Sequence, residues 1–136
     1  MTTITLIPPR LVKAMYRKCE RFFQMIADGA DGRATAEDFA RMCETGHRQL
    51  WVVEGEGNVL AIGLSEIVIY PRQKLCRITA VAGEDRSRWV DHLDDIENWA
   101  RAQGCHTIQP VVRPGWWPAL KARNYQRSHI VTERRL

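Results

Sequence analysis

Apolar residues recur along this 136-residue chain at two different periods, and the change from one to the other outlines a fold. Thr2 to Ile7 alternates threonine with aliphatic residues, as a half-buried strand does. Pro8-Pro9 ends it, and proline is accommodated in the first turn of a helix. From Arg10 to Ala27 the positions Leu11, Met15, Cys19, Phe22, Phe23 and Ile26 fall three or four apart, which predicts an amphipathic helix closed by Asp28-Gly29-Ala30-Asp31-Gly32. Thr35 offers a side-chain cap for a second helix. Glu37 and Asp38 lie near its positive end, and Phe39, Met42 and Cys43 form its buried side.

The period then shortens. Leu50 to Val53 and Val59 to Tyr70 read as strands joined by Glu54-Gly55-Glu56-Gly57-Asn58, a turn rich in residues that accept positive φ. Pro71-Arg72-Gln73 turns the chain again, and Lys74 to Ala82 is the third strand of this meander. Asp85 or Ser87 can cap a third helix, whose apolar line is Trp89, Leu93, Ile96 and Ala100 and whose end is marked by Gly104. His106 to Val112 is a short apolar strand, Gly115 to Arg123 a short helix with Pro118 in its first turn, and Tyr125 to Arg134 a closing strand. The predicted order is β-α-α-β-β-β-α-β-α-β, in one α/β domain spanning residues 1–136. Strands on either side of the third helix should run parallel through a right-handed crossover, and the hairpins before it antiparallel. A mixed sheet with helices on both faces follows.

Composition narrows the class. A chain of this length can bury one real core, and its 45% apolar and 26% charged residues are ordinary for a soluble globular protein. The longest apolar runs, such as Val59-Leu60-Ala61-Ile62, are far too short to cross a bilayer. The start of the sequence lacks the basic-then-apolar pattern of a secretory signal. Cys19, Cys43, Cys76 and Cys105 are widely spaced, with no zinc-type cluster, and read as reduced structural residues of a cytoplasmic protein. His47, His92, His106 and His129 share no ligand spacing, so no metal is expected.

Charge is uneven. Residues 1–112 carry 14 basic against 15 acidic groups, and residues 113–136 carry six basic groups against Glu133 alone. Such an end can meet a nucleotide's phosphates, nucleic acid or an acidic partner, or can simply keep the protein soluble. His92, Asp91, Asp94 and Asp95 share the outward side of the third helix, as a solvated face or as a seat for a neighbouring subunit.

Two local patterns resemble a known family. Trp99-Ala100-Arg101-Ala102-Gln103-Gly104-Cys105 is similar to the "A-x-x-x-G-(C/V)" helix end of the GCN5-related N-acetyltransferase superfamily. Leu120-Lys121-Ala122-Arg123-Asn124-Tyr125 is similar to its "Y-x-K-x-G-F" ending, with Asn124 for glycine, a mild exchange in a left-handed turn. The order of elements is also that of the superfamily. The Gly-Trp-x-x-x-Leu-Lys-x-Arg-x-Tyr form further resembles small acetyltransferase-like proteins encoded by tailed bacteriophages.

The resemblance implies a coenzyme A seat in the turn after the fourth strand, "(Q/R)-x-x-G-x-(G/A)", where bare amides grip the pyrophosphate. Here that turn reads Gly83-Glu84-Asp85-Arg86-Ser87-Arg88-Trp89. One glycine remains, and two acids stand where phosphates would sit, a repulsion of about 1 kcal/mol or more each where solvation is poor. Arg86 and Arg88 offset part of this, and Ser87 can still donate a hydrogen bond. The superfamily's thiolate-protonating tyrosine aligns with Leu120, which does no acid chemistry, while Tyr125 fills a packed aromatic position.

Three readings follow. The first is a non-catalytic acetyltransferase-like module for protein association or homo-oligomerisation, within a phage particle or its assembly in the host cytoplasm, with no cofactor. Arg113, Trp116 and Trp117 are its candidate partner surface, although the two tryptophans serve equally well as cover for the core. The second is an acetyl-CoA-dependent N-acetyltransferase. In that reading the amides of Ala80, Val81, Ala82 and Gly83 hold the thioester carbonyl, Arg86, Ser87 and Arg88 hold the phosphates, and Glu66 or Glu84 is the general base. Glu66 is the one acid inside an apolar strand, and the plainer account has it facing solvent beside Ser65. Glu84 equally suits a charge at a helix start. The third is nucleic-acid binding through the basic end, which no recognised binding motif accompanies.

Overall fold

Proline and glycine chemistry sets the first boundaries. In a computed structural model that describes residues 1–136, β1 (Thr2–Ile7) stops at Pro8, and a 3-10 turn over Pro9–Leu11 leads into α1 (Val12–Asp28). α2 (Ala36–Glu44) begins at a reciprocal cap. The Asp38 amide donates to Thr35 Oγ1 at 3.1 Å, and the Thr35 amide donates to Asp38 Oδ2 at 3.0 Å. The backbone bond at Thr35 and the Thr35 hydroxyl hold the Asp38 carboxyl below its ordinary pKa. β2 (Gln49–Gly55) and β3 (Asn58–Ile69) join through Glu56 and Gly57, both at positive φ (55° and 80°), the tight turn whose twist matches the strands. β4 (Lys74–Gly83), α3 (Leu93–Ala102), β5 (Cys105–Pro110) and α4 (Trp117–Ala122) follow.

The five strands lie in chain order, β1-β2-β3-β4-β5, antiparallel except for the parallel β4–β5 pair. This is the mixed sheet predicted, with helices on both faces. Alternation along β2 shows how it divides the core. Leu50 and Val52 point to the α1/α2 face, where they join Phe22, Phe23 and Ala40, whereas Trp51 packs with Leu93, Ile96 and Leu120 on the α3/α4 face.

Two expectations change. The closing strand over Tyr125–Arg134 is not formed: residues 126–136 are irregular and enter no backbone–backbone hydrogen bond. Side chains draw them elsewhere. Arg127 lies over the Trp117 ring at 4.5 Å, Glu133 pairs with Arg33 at 3.0 Å, and Arg135 pairs with Asp31 at 2.9 Å in the α1–α2 connection. The third helix begins at Leu93, after two 3-10 turns over Arg86–Arg88 and Val90–His92. Neither Asp85 nor Ser87 caps it. Asp85 is left-handed (φ 50°) and takes the Ser87 hydroxyl at 2.7 Å, which spends both groups on a local turn. The aspartates at the head of α3 remain largely solvent-exposed, and Arg123 bonds both Asp91 (2.9 Å) and Asp94.

Candidate functional site

The sheet opens in one place, and two residues cause it. β5 pairs with β4 from Lys74 opposite Cys105 to Ile78 opposite Pro110, and the amide of Val111 donating to the Ile78 carbonyl at 2.9 Å is the last rung. Across the other side of β4, Leu64 faces Ala80 and Ser65 faces Ile78, so Thr79 is an extra residue without a partner. Such a bulge bends its strand and adds twist. It also switches faces. Cys76 and Ile78 pack toward α3, whereas Ala80 and Ala82 pack toward α1. Thr79 Oγ1 donates to the Leu64 carbonyl at 3.3 Å, which anchors the bulge.

Beyond the bulge, β4 is paired on one side only. The Glu84 amide donates to the Leu60 carbonyl at 3.1 Å, and antiparallel alternation then places the rungs at Ala82 and Ala80, opposite Ile62 and Leu64. The peptide groups of Val81 and Gly83 therefore face the opened side. Of the four residues Ala80 to Gly83, two present backbone to the cleft and two are committed to β3. Gly83 has its own reason to be glycine, because a Cβ there would lie 2.4 Å from Ala61 Cβ and 2.9 Å from the Leu60 carbonyl.

The far walls of this opening are tied together. The Arg86 guanidinium donates to the Gly115 carbonyl at 3.2 Å and lies over the Trp116 ring at 4.9 Å. Arg86 follows β4 and Gly115 follows β5, so this contact bridges the two strands that have parted. Trp116 stacks obliquely on Trp89 at 5.6 Å, and both join the cluster that includes Val81. Beneath them remains an apolar cavity of about 50 Å³ whose walls include Trp51, Val81, Trp89, His92 and Trp116. Trp89 is fixed from the other end by its indole N–H, which donates to the Glu84 carbonyl at 2.8 Å.

The side chains of the turn after β4 are equally committed. The Glu84 carboxylate pairs with Arg21 of α1 at 2.7 Å, and Arg88 reaches Glu56 of the β2–β3 turn at 3.8 Å. Asp94 and Asp95 occupy the first turn of α3, so side chains of the chain itself already balance the positive end of that helix.

Glu66 lies apart from these groups. Its register partner is Arg77, one residue before the strands separate. Arg48 pairs with it at 2.6 Å, Arg77 approaches at 3.5 Å, and Arg77 in turn donates to Gln109 at 2.7 Å. The carboxylate is 21% exposed, neither free in solvent nor in an apolar pocket, and two guanidinium groups occupy its oxygens. Ser65, in contrast, is fully buried and points to the other face, where it accepts from the Trp51 indole at 2.9 Å and donates to Gln49 at 2.9 Å. Leu120 is core. Tyr125 donates to Glu97 at 2.5 Å, and burial, then that bond and charge, push its phenol far above its usual range. It stays protonated and bound. Of the candidate partner surface, Arg113 and the half-buried Trp117 flank the bridge, with the Arg113 guanidinium against Gly29 at the end of α1.

Neither protein-family models nor curated protein sequences match the chain. Solved structures do, from end to end. A predicted acetyltransferase from Clostridium acetobutylicum, solved with acetyl-CoA, aligns with a TM-score of 0.69 at 17% identity, covering 99% of this chain and 96% of that one. Glucosamine-6-phosphate N-acetyltransferase from Arabidopsis thaliana aligns at 0.70 and 17%, over 99% and 98% of the two chains. Ribosomal-protein-alanine N-acetyltransferase from Brucella melitensis biovar Abortus 2308 aligns at 0.72 and 9%, over 100% and 98%. This chain has the GCN5-related N-acetyltransferase fold. At such identities the likeness speaks for architecture, and the chemistry of the site must be argued from its own residues.

Thr79 and Trp89 were not singled out by sequence as site residues. Thr79 continues a plain strand pattern, and a bulge leaves no compositional mark when its extra residue is β-branched. Trp89 sat on the predicted helix line, which hid its position in a turn.

Proposed function

We propose that this N-acetyltransferase-fold protein serves as a protein-association module and does not turn over acetyl-CoA in the usual seat. The bridge from Arg86 to Gly115 and Trp116 carries this reading, because it spans the opening that a pantetheine arm would have to enter. The commitment of Glu84 to Arg21 and the aspartates at the head of α3 point the same way. A surface for association exists at the C-terminal end. Ile130 is 90% exposed and Val131 75%, on a segment without backbone partners, and β5 adds an unpaired sheet edge. The resemblance to small phage-encoded proteins would place such association within a virion or its assembly in the host cytoplasm.

A second reading is kept by one observation. Val81 and Gly83 still present peptide groups to the opened side, as a cofactor-binding edge would, and the Clostridium acetobutylicum structure was solved with acetyl-CoA. Calorimetric titration with acetyl-CoA separates the two. No heat and no thermal stabilisation at millimolar ligand is expected for the native chain. Micromolar binding that is lost in the Arg86→Ala/Arg88→Ala variant would instead make this an acetyl-CoA-dependent transferase, with Glu66 or Glu84 to be tested as its base.

A further inference from the structure

Outside the opening, three side chains from two elements stand in line. Thr2 Oγ1 lies 2.8 Å from His92 Nε2, and His92 Nδ1 lies 2.9 Å from Asp95 Oδ2. We propose that Thr2, His92 and Asp95 form a hydroxyl–imidazole–carboxylate relay that accepts a short acyl group from an activated ester or thioester. This does not depend on whether coenzyme A enters the cleft between β4 and β5.

The acceptors in reach and their distances point to the direction of the relay. A carboxylate can only accept, so His92 Nδ1 carries a hydrogen toward Asp95. In the neutral ring Nε2 then bears the lone pair, and the short contact is the Thr2 hydroxyl donating to it. This is the arrangement in which an imidazole removes a proton from an attacking hydroxyl while a carboxylate holds its tautomer. The hydroxyl has one proton and two acceptors in reach, and the Arg88 carbonyl at 3.2 Å is the farther of them, so the proton goes to Nε2 at 2.8 Å.

Surroundings supply the other requirements. Thr2 and Ile4 share one face of β1, and Ile4, Trp89, Val90 and His92 line the apolar cavity of about 50 Å³. That space suits a chain of a few carbons. His92 is therefore both the base beside the hydroxyl and part of the wall of the acyl pocket. β1 is an edge strand, so alternate N–H groups along it point away from the sheet, where they can stabilise a developing oxyanion.

The step balances without a cofactor. Thr2 Oγ1 attacks the carbonyl carbon, a C–O bond forms, and the C–S or C–O bond to the leaving group breaks. The hydroxyl proton passes to His92 Nε2 and then to the departing thiolate or alkoxide. Water, deprotonated by His92, later releases the carboxylic acid and restores Thr2.

The probe is p-nitrophenyl acetate on the full chain, with nitrophenolate release followed by absorbance and acylation by intact mass. One acetyl adduct is expected, mapped to Thr2 and removed by hydroxylamine as an ester would be. Thr2→Val and His92→Gln should abolish both signals, Thr2→Ser should retain them, and Asp95→Asn should slow release by about tenfold or more. Circular dichroism checks that each variant is folded. Release unchanged in Thr2→Val, an adduct resistant to hydroxylamine, or an adduct on Cys105 would overturn the proposal. So would variants that melt earlier while the native chain forms no adduct, since the three residues would then merely fasten β1 to the turn.

Discussion

The two faces of the sheet are built for different ends. On the α1/α2 side fifteen buried residues form one cluster, dominated by aliphatic side chains, small residues and the fully buried Phe22 and Phe23. On the α3/α4 side the buried residues fall into clusters of seven and three, and all five tryptophans are there: Trp51, Trp89, Trp99, Trp116 and Trp117. Tryptophan brings an N–H that must be paired when buried, so this face also carries polar ties, from Trp51 to Ser65 and from Trp89 to the Glu84 carbonyl. It also holds the apolar cavity. One face is packed by shape alone, and the other is packed by shape and directed bonds around a remaining space. The bulge at Thr79, where β4 exchanges which residues face which side, is the hinge between the two designs.

The strongest way to break that contrast is to empty the sealed side. Phe22→Ala removes a side chain with no exposed surface, and the loss of transfer energy plus the cavity left behind should cost about 3–5 kcal/mol in urea unfolding. Trp116→Ala, at a half-buried site, should cost less than half as much. Equal losses would mean that the two faces bear the fold alike.

Alkaline pH tests the sealing of both faces without mutation, since Cys19 and Cys43 lie on the α1/α2 side and Cys76 on the α3/α4 side. Burial pushes the Cys19 thiol up to about 11, Cys43 up to about 12 and Cys76 up to about 11. In the unfolded chain these thiols ionise near their ordinary value, so the folded state holds the protons more tightly. The stabilisation from this difference is complete below pH about 9, falls as pH rises from there, and is gone above the folded values. Each thiol that titrates only on unfolding removes about 1.4 kcal/mol per pH unit, so unfolding free energy should drop by a few kcal/mol between pH 9 and 11. Cys105, only partly buried, should react first with a thiol reagent in the native protein. A stability curve flat to pH 11 would contradict the sealed packing of Cys19 and Cys43 under α1 and α2 and of Cys76 under α3.

On the tryptophan-bearing side the directed bonds should matter more than volume. Ser65→Ala removes little bulk but leaves the buried Trp51 indole N–H and the Gln49 side chain without their shared partner. The expected loss is about 1–3 kcal/mol, the cost of an unsatisfied buried donor. A neutral result would show that packing alone also governs this face.

What the sequence made legible follows the same division. Amphipathic spacing located α1, the alternation of Thr2 to Ile7 located β1, and the glycine-rich turns and Gly104 (φ 84°) located the hairpins and the end of α3. Asn124 adopts the left-handed turn (φ 68°) expected of it. These are local rules, and local rules hold where packing is simple. The opening was less legible because it depends on register: Thr79 becomes a bulge only through the offset between β3 and β4, which no residue type announces. Glu66 read as a lone acid because its partners Arg48 and Arg77 are brought to it across other elements. The closing strand failed for a comparable reason. Its apolar residues Tyr125, Ile130 and Val131 do not alternate, Pro110 leaves the last residue of β5 without an N–H to pair, and ion pairs tie the segment to the α1–α2 connection.

The smallest effect is also the sharpest, because it compares two threonine- or serine-marked helix starts that look alike in sequence. Thr35 is bonded into a reciprocal cap with Asp38, so Thr35→Ala should cost about 1 kcal/mol and shift the thermal midpoint accordingly. Ser87 precedes α3 but donates to Asp85 in an exposed turn, well short of the first helical position at Leu93, so Ser87→Ala should stay within about 0.5 kcal/mol of the native chain. If Ser87→Ala were the costlier of the two, the turn after β4 would be doing the work of a helix cap. Its backbone amides would then be organised as an anion site requires, and the closed-seat reading of this face would lose its footing.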